Sequence, residues 1–85
     1  MTAIYHVLIT DHHILNIDEY FTNIITTYRY ILNVLPKLPK VEVFIFQTDP
    51  LGHDLTFKQY SGPVLEMLQN IQHDYEAYMN YFELE

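Results

Sequence analysis

The sequence has no cysteine, no tryptophan, one serine, two glycines and only four lysine or arginine residues among 85. Each shortage excludes something. Without cysteine there is no disulfide staple, no thiolate metal site and no thiol nucleophile, and a reducing compartment is expected. Gly52 and Gly62 stand apart and cannot build a phosphate-cradling loop. Ser61 belongs to Ser61-Gly62-Pro63, a helix-opening sequence rather than a nucleophile motif. No apolar run approaches the roughly 20 residues that span a bilayer. Met1-Thr2-Ala3-Ile4-Tyr5-His6 lacks the basic start and long apolar stretch of a secretion signal. A cytoplasmic protein without membrane contact is therefore expected.

What is present is a core. Hydrophobic residues make up 49% and aromatic residues 15%, too many for a disordered tail and enough for one domain over residues 1–85. Ala3–Ile9 is rich in β-branched and aromatic residues and reads as a buried strand. Ile17, Phe21, Ile24, Tyr28, Ile31 and Leu35 follow at steps of four and three, the stripe of an amphipathic helix. Asn16 or Asp18 would cap it, and Pro36 and Pro39 would end it. Val41–Gln47 and Leu55–Tyr60 read as a hairpin across a turn-rich Thr48–Asp54. Pro63 then opens a second helix whose stripe is Val64, Leu68, Ile71, Tyr75, Tyr78 and Phe82. The order β-α-β-β-α predicts an α+β domain: a three-stranded mixed sheet, strands one and two parallel, with both helices on one face.

The charge is segregated. Eleven carboxylates against four cations give −7, a field that repels nucleic acid and anionic lipid and attracts basic protein surfaces. Arg29, Lys37, Lys40 and Lys58 all precede the last helix, whereas Glu66, Asp74, Glu76, Glu83 and Glu85 follow Lys58 with no cation among them. With the apolar stripe inward, Glu66, His73, Glu76, Asn80 and Glu83 share an outer face on which neighbours are about 5–6 Å apart. Such a row imitates the phosphates of a DNA strand in part. Tyr20, Tyr30 and Tyr81 lie off both stripes and suit an interface.

Val64-Leu65, Leu68, His73-Asp74-Tyr75-Glu76 and Tyr81-Phe82-Glu83 resemble the C-terminal end of the phage T4-type anti-restriction nuclease family (Arn), small acidic DNA mimics. One extra residue separates Glu76 from Tyr81-Phe82-Glu83 relative to that pattern, which rotates the end by about 100° of helix. The resemblance is confined to this segment. It implies an inhibitor that occupies the basic DNA-binding groove of a modified-cytosine restriction endonuclease in the host cytoplasm; other small acidic phage proteins, anti-CRISPR inhibitors of CRISPR effectors among them, fit the same composition. Asp74, Glu76 and Glu83 would be the matched phosphate imitators. The partner-binding set expected on charge and resemblance together is Glu66, Asp74, Glu76, Tyr81, Glu83 and Glu85.

No catalytic residue, cofactor or metal is expected. His12, His13, His53 and His73 have no His-x-x-x-His spacing, and adjacent histidines on a strand end point apart. Asp11 and His53 would be the nearest supplements. His6, inside the first strand, reads as a satisfied core or edge residue. His73 beside Asp74 would titrate near neutrality and weaken a decoy when protonated. The competing reading is a non-enzymatic adaptor or regulatory dimer that uses an uncovered sheet face, with Phe44, Phe46, Thr56, Lys58 and Tyr60 as candidates. Both sides of Val41–Gln47 are apolar, so self-association is expected under either reading.

Overall fold

The computed structural model describes residues 3–11, 14–38 and 40–83, and for residues 14, 15 and 83 the backbone alone. His12, His13 and Glu85 lie outside the described residues. The chain forms a hairpin followed by a helix, twice over: β1 (Ile4–Asp11), β2 (Ile14–Phe21), α1 (Ile24–Val34), then β3 (Glu42–Thr48), β4 (Asp54–Tyr60) and α2 (Val64–Glu83). A 3-10 turn at Leu35–Lys37 ends α1 at Pro36, as the missing proline N–H dictates.

The α+β class and the two helices agree with the sequence reading, but the sheet differs from it. There are four strands in the order β2-β1-β3-β4, and every neighbouring pair is antiparallel. Ile17–Phe21, expected to begin the first helix, belongs instead to the additional strand, Ile14–Phe21. Ile17 and Phe21 are four apart, a spacing that puts two residues on one face of a helix and equally on one face of a strand. Here they flank Ile9 and Tyr5 across the β1–β2 ladder. Because β2 reverses the chain before α1, β3 arrives antiparallel to β1, and the expected parallel pairing is lost.

Helix α1 starts where its cap is. The Asn23 side-chain oxygen accepts the backbone N–H groups of Ile25 at 2.8 Å and Thr26 at 3.1 Å, satisfying donors that the first turn leaves free. Before α2, Gly62 adopts φ 103°, a conformation that a side chain disfavours.

Both helices cover one face of the sheet. Val7, Ile9, Val43 and Ile45 point from β1 and β3 into a core shared with Ile24, Tyr28, Ile31 and Leu35 on one side and Met67 and Ile71 on the other. In α2 the fully buried pair is Met67 and Ile71. Val64, Leu68, Tyr75 and Tyr78 flank them half-buried, whereas Phe82 is 50% exposed. A bulge in β4 gives Phe57 no partner in the β3 ladder and packs its ring on Tyr5 and Tyr78.

Candidate functional site

The outer face of α2 is built by the burial of its other side. With Met67 and Ile71 inward, Glu66, His73, Glu76, Asn80 and Tyr81 are exposed. The amide of Gln72 donates to Glu76 at 3.2 Å. Among the described residues, neither Glu66 nor Glu76 has a lysine or arginine partner. The backbone of Glu83 ends the helix.

Asp74, expected from the resemblance to be a phosphate imitator, does not lie on this outer face. Its carboxylate turns into the seam between α2 and β4, where it accepts the hydroxyl of Tyr60 at 2.5 Å and lies 3.9 Å from the Lys58 ammonium. Since the Tyr60 proton goes to Asp74, Tyr28 donates to the Tyr60 oxygen at 2.7 Å. Burial raises the Tyr28 and Tyr60 phenols far above the usual range, and the Asp74 contact adds to the effect at Tyr60. Both stay protonated and keep donating. Arg29 is also committed to this side, its Nε donating to the Tyr75 hydroxyl at 2.8 Å.

The other face of the sheet has no helix over it. Phe44 and Phe46 stack with centroids 6.2 Å apart at 8°, and Leu8 pairs with Phe44 across the β1–β3 ladder. Thr56 pairs with Phe46 on this side. Lys58 and Tyr60, also expected here, instead reach Asp74 on the helix-covered side. Tyr20 is 59% exposed and lies parallel over the His6 ring, centroids 4.1 Å apart at 9°. Tyr30, by contrast, packs half-buried against Phe21.

Beneath Tyr20, His6 bridges three strands. Its Nε2 meets Asp18 of β2 at 2.5 Å and its Nδ1 meets Asp54 of β4 at 2.9 Å. Thr48 donates its hydroxyl to the second oxygen of Asp54 at 2.5 Å. Burial pulls the His6 value down, but the hydrogen bonds and charges of Asp54 and Asp18 outweigh it and the net shift is upward. Asp54 is correspondingly lowered, by Thr48 first and then His6. Both ring nitrogens are occupied, so neither can act as a base toward a substrate. The expectation of a satisfied residue matches this geometry. Its partners, 12 and 48 residues away, had no local sequence signal.

His53 bonds Asp49 at 3.2 Å within the β3–β4 turn. Among the described residues no group of three or more histidines and carboxylates could hold a metal ion, and no helix is long and apolar enough to cross a membrane. No protein-family model matches the chain, nor does any curated protein or solved structure.

Proposed function

We propose that this protein is a small acidic inhibitor of phage type, which occupies a basic nucleic-acid-binding groove of a host defence protein, a restriction or CRISPR effector, as a DNA mimic. The observation that carries this reading is the cation-free outer face of α2, where Glu66 and Glu76 are exposed and lack ion-pair partners among the described residues. Unpaired carboxylates leave lysines and arginines of a partner to complete them, so binding is steered over distance and weakens with salt. Tyr81, 63% exposed, adds apolar contact at the end of the same helix. Asp74 serves the surface indirectly, by fixing the helix to β4. Glu83 and Glu85 extend the acidic end in sequence.

The test is inhibition of DNA cleavage by a modified-cytosine restriction endonuclease, and of cleavage by a CRISPR effector. The intact protein is compared with a Glu66→Lys, Glu76→Lys double variant. Inhibition is expected to fall at least tenfold in the variant, the size of loss that reversed interfacial charges produce. Inhibition by the variant at full strength removes the acidic helix from the mechanism.

A second reading, a non-enzymatic adaptor that interacts through the uncovered sheet face, is favoured by the outward, stacked Phe44 and Phe46.

A further inference from the structure

We propose that the uncovered face of the sheet docks an extended, arginine-bearing segment of a partner protein, laid across β1 and β3 with a guanidinium over the Phe44 ring and carboxylates at its sides. This surface lies on the far side of the sheet from α2 and does not depend on the role assigned to that helix.

Three observations converge. The first is shape and chemistry: Leu8, Phe44 and Phe46 form a half-buried apolar floor, with the two phenylalanine rings nearly parallel. Arginine is the cation that suits such a floor, because its planar group stacks on a ring and still donates hydrogen bonds from its edge. The second is placement of charge. Asp18 stands opposite Leu8, which in turn stands opposite Phe44, so the three form one row across β2, β1 and β3. At the usual strand spacing Asp18 is about 10 Å from Phe44, and Glu42 is about 7 Å along β3 on the same side. Asp18 gives one oxygen to His6 and leaves Oδ2 without a hydrogen-bond partner among the described residues. Glu42 is exposed and likewise unpaired among them. The third is what the face lacks. Lys58, the one lysine or arginine in the four strands, is turned to Asp74 behind the sheet. The one basic ring on this face among the described residues, His6, is buried beneath Tyr20 and takes up one oxygen each of Asp18 and Asp54, which leaves Glu42 and the second Asp18 oxygen to be met.

That charge pattern selects among occupants. Phosphates of a nucleic acid or lipid would meet Asp18, Glu42 and Asp54 and be repelled. A second copy would bring the same carboxylates face to face, on a chain of net charge −7. A cationic segment completes the face instead. Tyr20, stacked on His6 and 59% exposed, gives it a second ring to cover.

The experiment maps amide shifts of the intact protein during titration with capped hexapeptides of alternating arginine and valine, lysine and valine, or glutamate and valine. The arginine peptide is expected to cause saturable shifts at Leu8, Asp18, Phe44 and Phe46. The lysine peptide should bind about fivefold more weakly for want of stacking, and the glutamate peptide should not bind. Glu42→Lys, an exposed substitution that leaves the core alone, should weaken the arginine peptide about fivefold. Glu66→Lys with Glu76→Lys should leave it unchanged, so this result and the fate of the α2 proposal are read separately. The inference is overturned by shifts centred on α2, by an absence of saturable shifts, by equal binding of wild type and Glu42→Lys, or by shifts at Phe44 and Phe46 that follow protein concentration alone, which would identify a second copy as the occupant.

Discussion

Tyr60 donates its hydroxyl proton to Asp74 across 2.5 Å, tying the last strand to the last helix, and takes the Tyr28 hydroxyl proton in return. Tyr60→Phe leaves the buried Tyr28 hydroxyl without its acceptor and Asp74 without its donor. A loss of about 1–3 kcal/mol is expected, the cost of unsatisfied buried polar groups. Asp74→Ala should cost a similar amount, and the double variant less than the sum, because both changes remove one shared contact. Urea midpoints of the four proteins measure this; strict additivity would mean that the contact contributes nothing.

The His6 bridge gives stability a defined dependence on pH. A histidine whose folded value is raised stabilises fully below its ordinary 6.5, and that contribution fades as pH rises through the elevated value. Asp54, lowered in the fold, stabilises above its ordinary 3.8 and fades as pH falls through the depressed value. The bridge is therefore strongest between about 3.8 and 6.5. Urea midpoints should fall from pH 5.5 to pH 8 in the wild type and fall less in His6→Gln. Parallel profiles would leave the bridge without a stabilising role.

Asn23 caps α1 through two backbone N–H groups, so Asn23→Ala should cost about 1 kcal/mol. Asn16, skipped in the β1–β2 register where Ile9 faces Ile17 and Thr10 faces Leu15, makes no such cap. Asn16→Ala should change thermal stability little. The reverse ranking would place the helix start earlier in the chain.

The two sides of α2 should respond oppositely. Ile71→Ala empties a fully buried position and should cost about 2–5 kcal/mol. Glu66→Lys and Glu76→Lys, on the exposed side, should each stay within about 0.5 kcal/mol of wild type. Chemical denaturation of the three variants checks this, and the same measurement certifies the charge variants as folded for binding work.

Much of the fold is legible in the sequence where one periodicity is unambiguous. The β-branched run of β1 and the β3–β4 hairpin satisfy a single pattern each, and the four–three stripe marks α2 as a helix, although it omits the buried Met67 and includes the exposed Phe82. β2 does not, since Ile17 and Phe21 fit both periods, and its acidic pair Asp18-Glu19 imitates a first helical turn. Thr22-Asn23 is the cue that divides strand from helix, and it lies inside an apparently continuous stripe. On α2, helix spacing places Glu66 and Glu76 outward and sets Asp74 beside Ile71 and Tyr78 on the inner side, but it cannot name Tyr60 and Lys58 as the partners of Asp74, because they reach it from another element. The same holds for His6, whose partners meet it only once the sheet is assembled.

A hairpin-then-helix unit repeated twice means that two of the three strand ladders, β1–β2 and β3–β4, are made between close neighbours in the chain. The third, the β1–β3 ladder, Ile4–Thr10 against Glu42–Thr48, joins the two halves of the sheet. Closing that seam requires the longest loop, so it should be the late event in folding. It is also where two chains could exchange halves without breaking either hairpin.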